Sequence, residues 1–207
     1  MMTTGKIITN DDSYMGTVRA DNVVRQLLTD GKTWKSYAEG LPYVGYIGGD
    51  VYPYVRHHNP LSYFSDVVYS RSERNHLVPF TQFASDIRNN QLPQYSFLVP
   101  NMLDDGHDGS LAAADGWLKK NIAPLVASSV FKKSGLLMIV FDESFSSDTQ
   151  HGGGHVAAIV ISLKAKRGYQ SKTLYQHQSL CRLLMQGLGL THLPGASQGA
   201  PQMGEFF

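Results

Sequence analysis

The chain has 207 residues, 42% of them hydrophobic and 17% charged, with a net charge of +1. That length supports one domain with a substantial core, and the near-balance of charge gives no reason to expect nucleic acid or an acidic membrane surface as a partner. No apolar run approaches the roughly 18 residues of a membrane helix, and the single cysteine, Cys181, excludes an intrachain disulfide and leaves the compartment open.

The opening residues, MMTTGKIITNDD, have neither the basic start nor the apolar core of a signal peptide. They offer no helix cap and no strand, and read as the interior of a larger unit. Asp11 and Asp12 precede Ser13 in a polar turn. Apolar residues at helical spacing predict a helix over residues 20–29, with Asp21 as cap and Gly31 as stop. Residues 33–38 read as a short strand ended by Gly40-Leu41-Pro42. Residues 45–59, rich in Gly, Tyr and Pro, read as a loop that finishes in Arg56-His57-His58-Asn59-Pro60. A short amphipathic helix is predicted over residues 81–89, with Asp86 on its outer face. Residues 95–99 are a buried strand running into a loop that carries Asn101, Asp104, Asp105, His107 and Asp108. Residues 111–125 are helical and break near Pro124. The run 136–141 (LLMIVF) reads as a strand buried on both faces, of the kind found in parallel sheets covered by helices. A glycine-rich loop with His151 and His155 follows, then a second apolar strand over 156–161. A last helix spans residues 179–188, with His177 just ahead of it, and the tail from Pro194 is loop. Trp34 and Trp117 read as core, Cys181 as buried and inert, and His76 and His192 as structural residues without polar company.

Strands alternating with helices, with little period-two pattern in the apolar ones, predict a layered α/β domain with a mostly parallel sheet. Two chemically loaded loops each follow a buried strand, at 101–108 and at 142–155. Ligands bind at the carboxyl ends of strands in open α/β sheets, so parallel neighbouring strands would bring the two loops together. Asp142 and Glu143, with His151 and His155, have the donors to ligate a divalent metal or exchange protons with a substrate; they equally fit a turn cap and solvated loop histidines. Asp104, Asp105, His107 and Asp108 mix carboxylate with imidazole, a set that suits Zn, Mn or Fe better than Ca. Gly106 and Gly109 let the backbone turn tightly there; an acidic surface turn is the alternative. Arg56, His57, His58 and Asn59 offer one fixed positive charge and two imidazoles to a phosphate.

Taken in order, several segments resemble the phosphoesterase family that includes bacterial acid phosphatases and phosphatidylcholine-type phospholipases C. They are Thr33-Trp34-Lys35-Ser36-Tyr37, Arg56-His57-His58-Asn59-Pro60 with Tyr63-Phe64, Val78-Pro79-Phe80, Leu92-Pro93-Gln94-Tyr95-Ser96-Phe97, Pro100-Asn101 with Asp105-Gly106-His107-Asp108, Ala114-Asp115-Gly116-Trp117-Leu118, Val140-Phe141-Asp142-Glu143, and His177 with Ser179-Leu180. The resemblance implies an alkaline-phosphatase-like three-layer α/β/α sandwich with a mostly parallel sheet, residues 1–207 forming a partial, C-terminal portion of such a domain that lacks its first strand. It implies hydrolysis of a phosphate ester, from a small molecule or a phospholipid headgroup, through a Ser or Thr phospho-enzyme. Catalytic roles then fall to Asp142, Glu143 and His107, and substrate contacts to His57, His58, Asn59 and Asn101. A divalent metal, if used, would be held among Asp105, His107, Asp108, Asp142, Glu143, His155 and His177. The family's chains open with an acidic-Asn motif and reach their nucleophile in a Pro-Ser-type turn. Neither is present here, and Thr3 and Thr4 are not assigned that role. The loop 144–154 is also longer and richer in glycine than in the phospholipases. The expectation is therefore a domain without its nucleophile segment, active in part or a remnant that binds phosphate or metal, with unpaired strand edges that favour self-association. Family members are often periplasmic or secreted.

Overall fold

The computed structural model describes Met1–Phe207 throughout. In chain order the elements are α1 (Val23–Thr29), β1 (Trp34–Ala38), the one-turn helices α2 (Ser65–Val68) and α3 (Arg71–Arg74), β2 (Leu77–Pro79), α4 (Thr81–Arg88), β3 (Tyr95–Val99), α5 (Leu111–Ala127), α6 (Ser129–Ser134), β4 (Leu137–Val140), β5 (Ala158–Ile161) and α7 (His177–Gly187). β1 is the centre of a parallel sheet of order β2-β1-β3, with Ser36 opposite both Leu77 and Phe97. Successive side chains of a strand point to opposite faces, and both faces are covered. Trp34, Ala38, Leu77, Tyr95 and Val99 join Val23, Val24 and Leu27 of α1 and Cys181 and Met185 of α7 in the larger core. Tyr37 and Val78 turn the other way, onto Phe83 of α4, Trp117 and Ile122 of α5 and Phe131 of α6. Helices on both faces of a parallel sheet make an α/β/α arrangement, as the alternation of elements predicts.

Several details differ from the sequence reading. α1 begins later than expected because Asn22, not Asp21, caps it: the Asn22 side chain accepts the Arg25 N–H at 3.0 Å while its own amide donates to Asp66. α4 does not show Asp86 to solvent. Asp86 is 3% exposed and takes the Lys35 ammonium at 2.6 Å and the Tyr37 hydroxyl at 2.7 Å, partners some fifty residues away in sequence. α5 runs through Pro124 to Ala127, with Ile122 and Leu125 buried on either side of the proline, and ends where Ser128 caps α6. His177 is the first residue of α7 rather than a residue ahead of it. His76 and His192 do have polar company, Glu73 at 3.2 Å and Asp21 at 3.1 Å.

The largest departure concerns the run 136–141. β4 does not join the parallel sheet: it pairs only with β5, antiparallel, with Ile139 opposite Ile159. All four β4 residues are half-buried and Ile159 is 51% exposed. The ribbon leans on the α4–α6 side of the core through Leu137 and Ile161. An apolar run specifies that a strand wants cover, not which neighbour supplies it.

Both sheets keep one unpaired edge facing the space between them. Tyr95 donates its N–H to Thr33 and Val99 accepts from Glu39, so the odd-numbered residues of β3 bond toward β1. In a parallel pair the alternate residues, Ser96 and Leu98, then present their backbone groups to the other side. By the same alternation Phe141 bonds Ala157, leaving Met138 and Val140 directed away from β5.

Candidate functional site

A cleft of about 1010 Å³ separates the two sheets and receives both loaded loops. One wall is the imidazole side. Residues 101–109 are folded tightly by Asn101, whose carbonyl accepts the N–H groups of Asp104 and Asp105 and whose side chain accepts that of Leu103 at 2.8 Å. Gly106 has φ +92°, and a Cβ on Gly109 would lie 1.8 Å from the Leu103 carbonyl oxygen, so the two glycines are required as the sequence suggests. The 3₁₀ turn Arg56–His58 delivers two histidines from the other loop. The loops are tied together by the Met102 N–H donating to the Pro53 carbonyl at 3.1 Å.

Each loop carries a histidine held by a carboxylate. His58 Nδ1 meets Asp105 at 3.0 Å, and His107 Nδ1 meets Asp108 at 2.9 Å. The His57 and His58 rings stack edge to face at 4.6 Å, and the His58 and His107 rings lie 6.0 Å apart. A carboxylate on one ring nitrogen fixes the imidazole's orientation and leaves the other nitrogen for a substrate. The hydrogen bond to Asp108 raises the His107 pKa, helped by the charges of Asp105 and Glu143, while burial and the neighbouring His58 lower that of His57. The two environments push these imidazoles apart: His107 favours its charged form and His57 its neutral one.

The facing wall is formed by the segment after β4, with Phe141, Asp142, Glu143, Ser144 and Phe145. His177 braces it from the start of α7, its Nε2–H donating to the Asp142 carbonyl at 2.6 Å. Asp142 and Glu143 are exposed and lie near enough for Glu143 to support the charged form of His107. The two loaded loops therefore meet as expected, although β3 and β4 are not neighbours in one sheet.

The cleft thus brings together His57, His58, Asp105, His107, Asp142, Glu143 and His177, with Asp108 behind His107. The remaining expected residues stand elsewhere. Asn59 is fully buried and accepts the Ser36 hydroxyl at 2.7 Å, so it ties the loop to β1. Asn101 builds its own turn and donates its N–H to Glu39. His155 is exposed on the far side of the 144–154 loop, where its N–H donates to Asp148. Arg56 offers no charge to the cleft: it is 5% exposed, donates to Ser62 and lies 4.0 Å over the Tyr63 ring. No three of the ligating side chains converge here in the geometry of a metal site.

Two residues escaped the sequence reading. Glu39 follows β1 directly, and burial, opposed by the Asn101 N–H and assisted by the Asp104 charge, raises its pKa. Its signal was available: a carboxylate at the carboxyl end of a strand, like Asp142. Tyr52 donates its hydroxyl to Asp108 at 3.1 Å, and nothing in the glycine- and tyrosine-rich loop marks it out in advance.

The sequence profile described as the Phosphoesterase family matches residues 3–191. The chain is 31% identical over 192 residues to a probable acid phosphatase of Kluyveromyces lactis, spanning 89% of this chain and 46% of that one. It is 31% identical over 193 residues to a phosphate-repressible acid phosphatase of Penicillium chrysogenum, with coverage of 89% and 46%. A phosphatidylinositol-3-phosphatase of Mycobacterium tuberculosis is 29% identical over 180 residues, or 87% and 56% of the two chains. The chain spans about half the length of the curated relatives it matches.

Proposed function

Since the chain belongs to the Phosphoesterase family, we propose that its cleft binds a phosphate ester and takes part in hydrolysing it. The observation that carries this reading is the pair of carboxylate-held imidazoles, His58 with Asp105 and His107 with Asp108, delivered by two loops to one cleft. The charged ring of His107 attracts the phosphoryl oxygens, and His58 stands beside it. In the reaction the oxygen of a water or hydroxyl bonds to phosphorus and passes its proton to a neutral imidazole, the ester P–O bond breaks, and an imidazolium N–H gives its proton to the leaving oxygen; where the attacking hydroxyl belongs to the protein, water then displaces it and releases inorganic phosphate. Thr4 and Ser144 line the cleft, but their hydroxyls donate to backbone carbonyls, so neither is given the nucleophilic role. No step is assigned to a metal ion. The substrate class is a phosphomonoester or a phospholipid headgroup.

The test is hydrolysis of p-nitrophenyl phosphate alongside binding of inorganic phosphate, both followed against pH. His107 carries its charge below its raised pKa, so phosphate affinity is expected to be highest in acid and to fall as the pH rises through that pKa. His107→Gln is expected to flatten this dependence. An affinity that rises with pH, or an unchanged profile in the variant, would refute the assignment. Binding without turnover would select the second reading, a phosphate-binding remnant. The unpaired edges of β3 and β4 extend the proposal to self-association, because a second copy can pair with exposed backbone. Size-exclusion elution is expected to shift with concentration; a concentration-independent monomer would count against it.

A further inference from the structure

A second cavity, of about 290 Å³, lies where α7 begins, bordered by Leu174, Gln176, Gln178, Ser179, Ala200 and Pro201. Its size stands at the lower end of the range of ordinary ligand pockets and leaves room for a small ion. α7 has eleven residues, and its cap, Gln176, is extended and makes no side-chain capping bond. The first N–H groups of such a helix carry partial positive charge and want an acceptor; that of Ser179 is already taken by the Gln176 carbonyl at 2.8 Å, which leaves those of His177 and Gln178.

Three side chains add to this end of the helix. Ser179 is 0% exposed, borders the cavity, and its hydroxyl has no hydrogen-bond partner. Arg182 follows one turn later on the same face of α7. It forms no ion pair, its buried Nε is unpartnered, and a terminal nitrogen donates to the carbonyl of Ala200, itself a residue of the cavity wall. Gln178 donates its amide to the Met1 sulfur at 3.1 Å, and its amide oxygen is buried without a donor. A donor that lacks an acceptor, on Ser179, and an acceptor that lacks a donor, on Gln178, stand at the helix end, and Arg182 reaches the cavity wall from mid-helix through Ala200.

From this arrangement we propose that the N-terminus of α7 is a second anion site, separate from the cleft, for an oxyanion that still bears a proton. Hydrogenphosphate meets both demands. Its oxygens accept from the helix N–H groups, the Ser179 hydroxyl and the Arg182 guanidinium, and its O–H donates to the Gln178 carbonyl oxygen. Sulfate supplies the oxygens but has no proton for Gln178. The site shares its helix with His177, which braces the cleft wall through the Asp142 carbonyl, so an anion here sits at the other end of a rigid connection to the cleft.

The test is a titration of the full chain, labelled with nitrogen-15, with inorganic phosphate and separately with sulfate. The readouts are the amide signals of Gln178, Ser179 and Leu180 and, independently, the imidazole signals of His58 and His107. Phosphate is expected to move the α7 amides to saturation, and sulfate to bind there about tenfold more weakly for want of one charge-assisted hydrogen bond. Ser179→Ala and Arg182→Gln are each expected to weaken the α7 response by about tenfold while leaving the imidazole response in place. Still amides in α7, equal affinity for the two anions, or unchanged affinity in both variants would overturn the proposal. Silent imidazoles beside responsive α7 amides would remove the reading of the cleft and leave this one standing.

Discussion

Replacing His58 with Ala is expected to lower turnover of p-nitrophenyl phosphate by roughly 10²–10⁴-fold, the contribution typical of a positioned acid or base. His58 is the better held of the two carboxylate-bound imidazoles: its side chain and that of Asp105 are 20% and 16% exposed, against 52% and 39% for His107 and Asp108. A half-buried pair is less screened by water and loses fewer orientations than an exposed one. His57 packs edge-on against the same ring, so two contacts, the Asp105 bond and this ring, fix the direction of its free nitrogen. Asp105→Asn keeps the ring and removes the charge that orients it, and a smaller loss, about 10–100-fold, is expected, as for other residues that hold a functional histidine. Measuring kcat and KM separately distinguishes the two variants. Loss of proton transfer lowers kcat, and loss of phosphate contact raises KM. In a chain that binds without turnover, the same order of effect is read in phosphate affinity. A His58→Ala protein that remains folded and retains turnover and phosphate affinity within twofold of the parent would remove His58 from the site.

The largest expected loss of stability comes from Asp86→Ala, by about 3–5 kcal/mol. Asp86 sits under the outer face of β1, where its carboxylate takes both the Lys35 ammonium and the Tyr37 hydroxyl. Truncation leaves a largely buried ammonium without its counter-charge and a fully buried phenol without its acceptor, and these orphaned groups dominate the cost. Burial and the bond to Asp86 both push the Tyr37 pKa far upward, so the phenol stays protonated and donating at every pH where the fold persists. For a chain of this length the loss corresponds to a fall in melting temperature of about 6–20 °C. Urea denaturation gives the free energy directly, with the slope of the transition as a check that the unfolded state is unchanged. Asp86→Asn, which keeps an acceptor for Tyr37, is expected to lose less; equal losses would mean that the Lys35 charge carries the whole effect.

How far the sequence could be read depended on how local each feature is. Residues 95–99 were readable to the residue because Pro93 and Pro100 fence a β-prone apolar run. The Asp105–Asp108 turn was readable because its glycines and its capping asparagine lie within nine positions. Asp86 was not, since a helical pattern with a charge opposite its apolar face is the usual mark of an exposed residue, and the two partners that make it internal lie on β1. Asn59 and Arg56 were misplaced for a related reason. They flank two histidines that do reach the cleft, but consecutive residues of a tight turn point in different directions, and these two point into the core. The β4 run was legible as a strand and illegible as a partner, because nothing local tells a strand which edge it will meet.

That last feature bears on how the site behaves as a mechanical object. The imidazoles ride on the parallel sheet and its loops, while Asp142 and Glu143 ride on the two-stranded ribbon. No ladder of backbone hydrogen bonds runs from one to the other, so the gauge of the cleft is set by side-chain packing at Leu137 and Ile161 and by the brace from His177. Side-chain contacts are soft compared with a strand ladder and can slide at little expense. The cleft is therefore a vice rather than a mould: its two jaws are individually stiff, and the gap between them is the compliant coordinate that a bound phosphate would tighten.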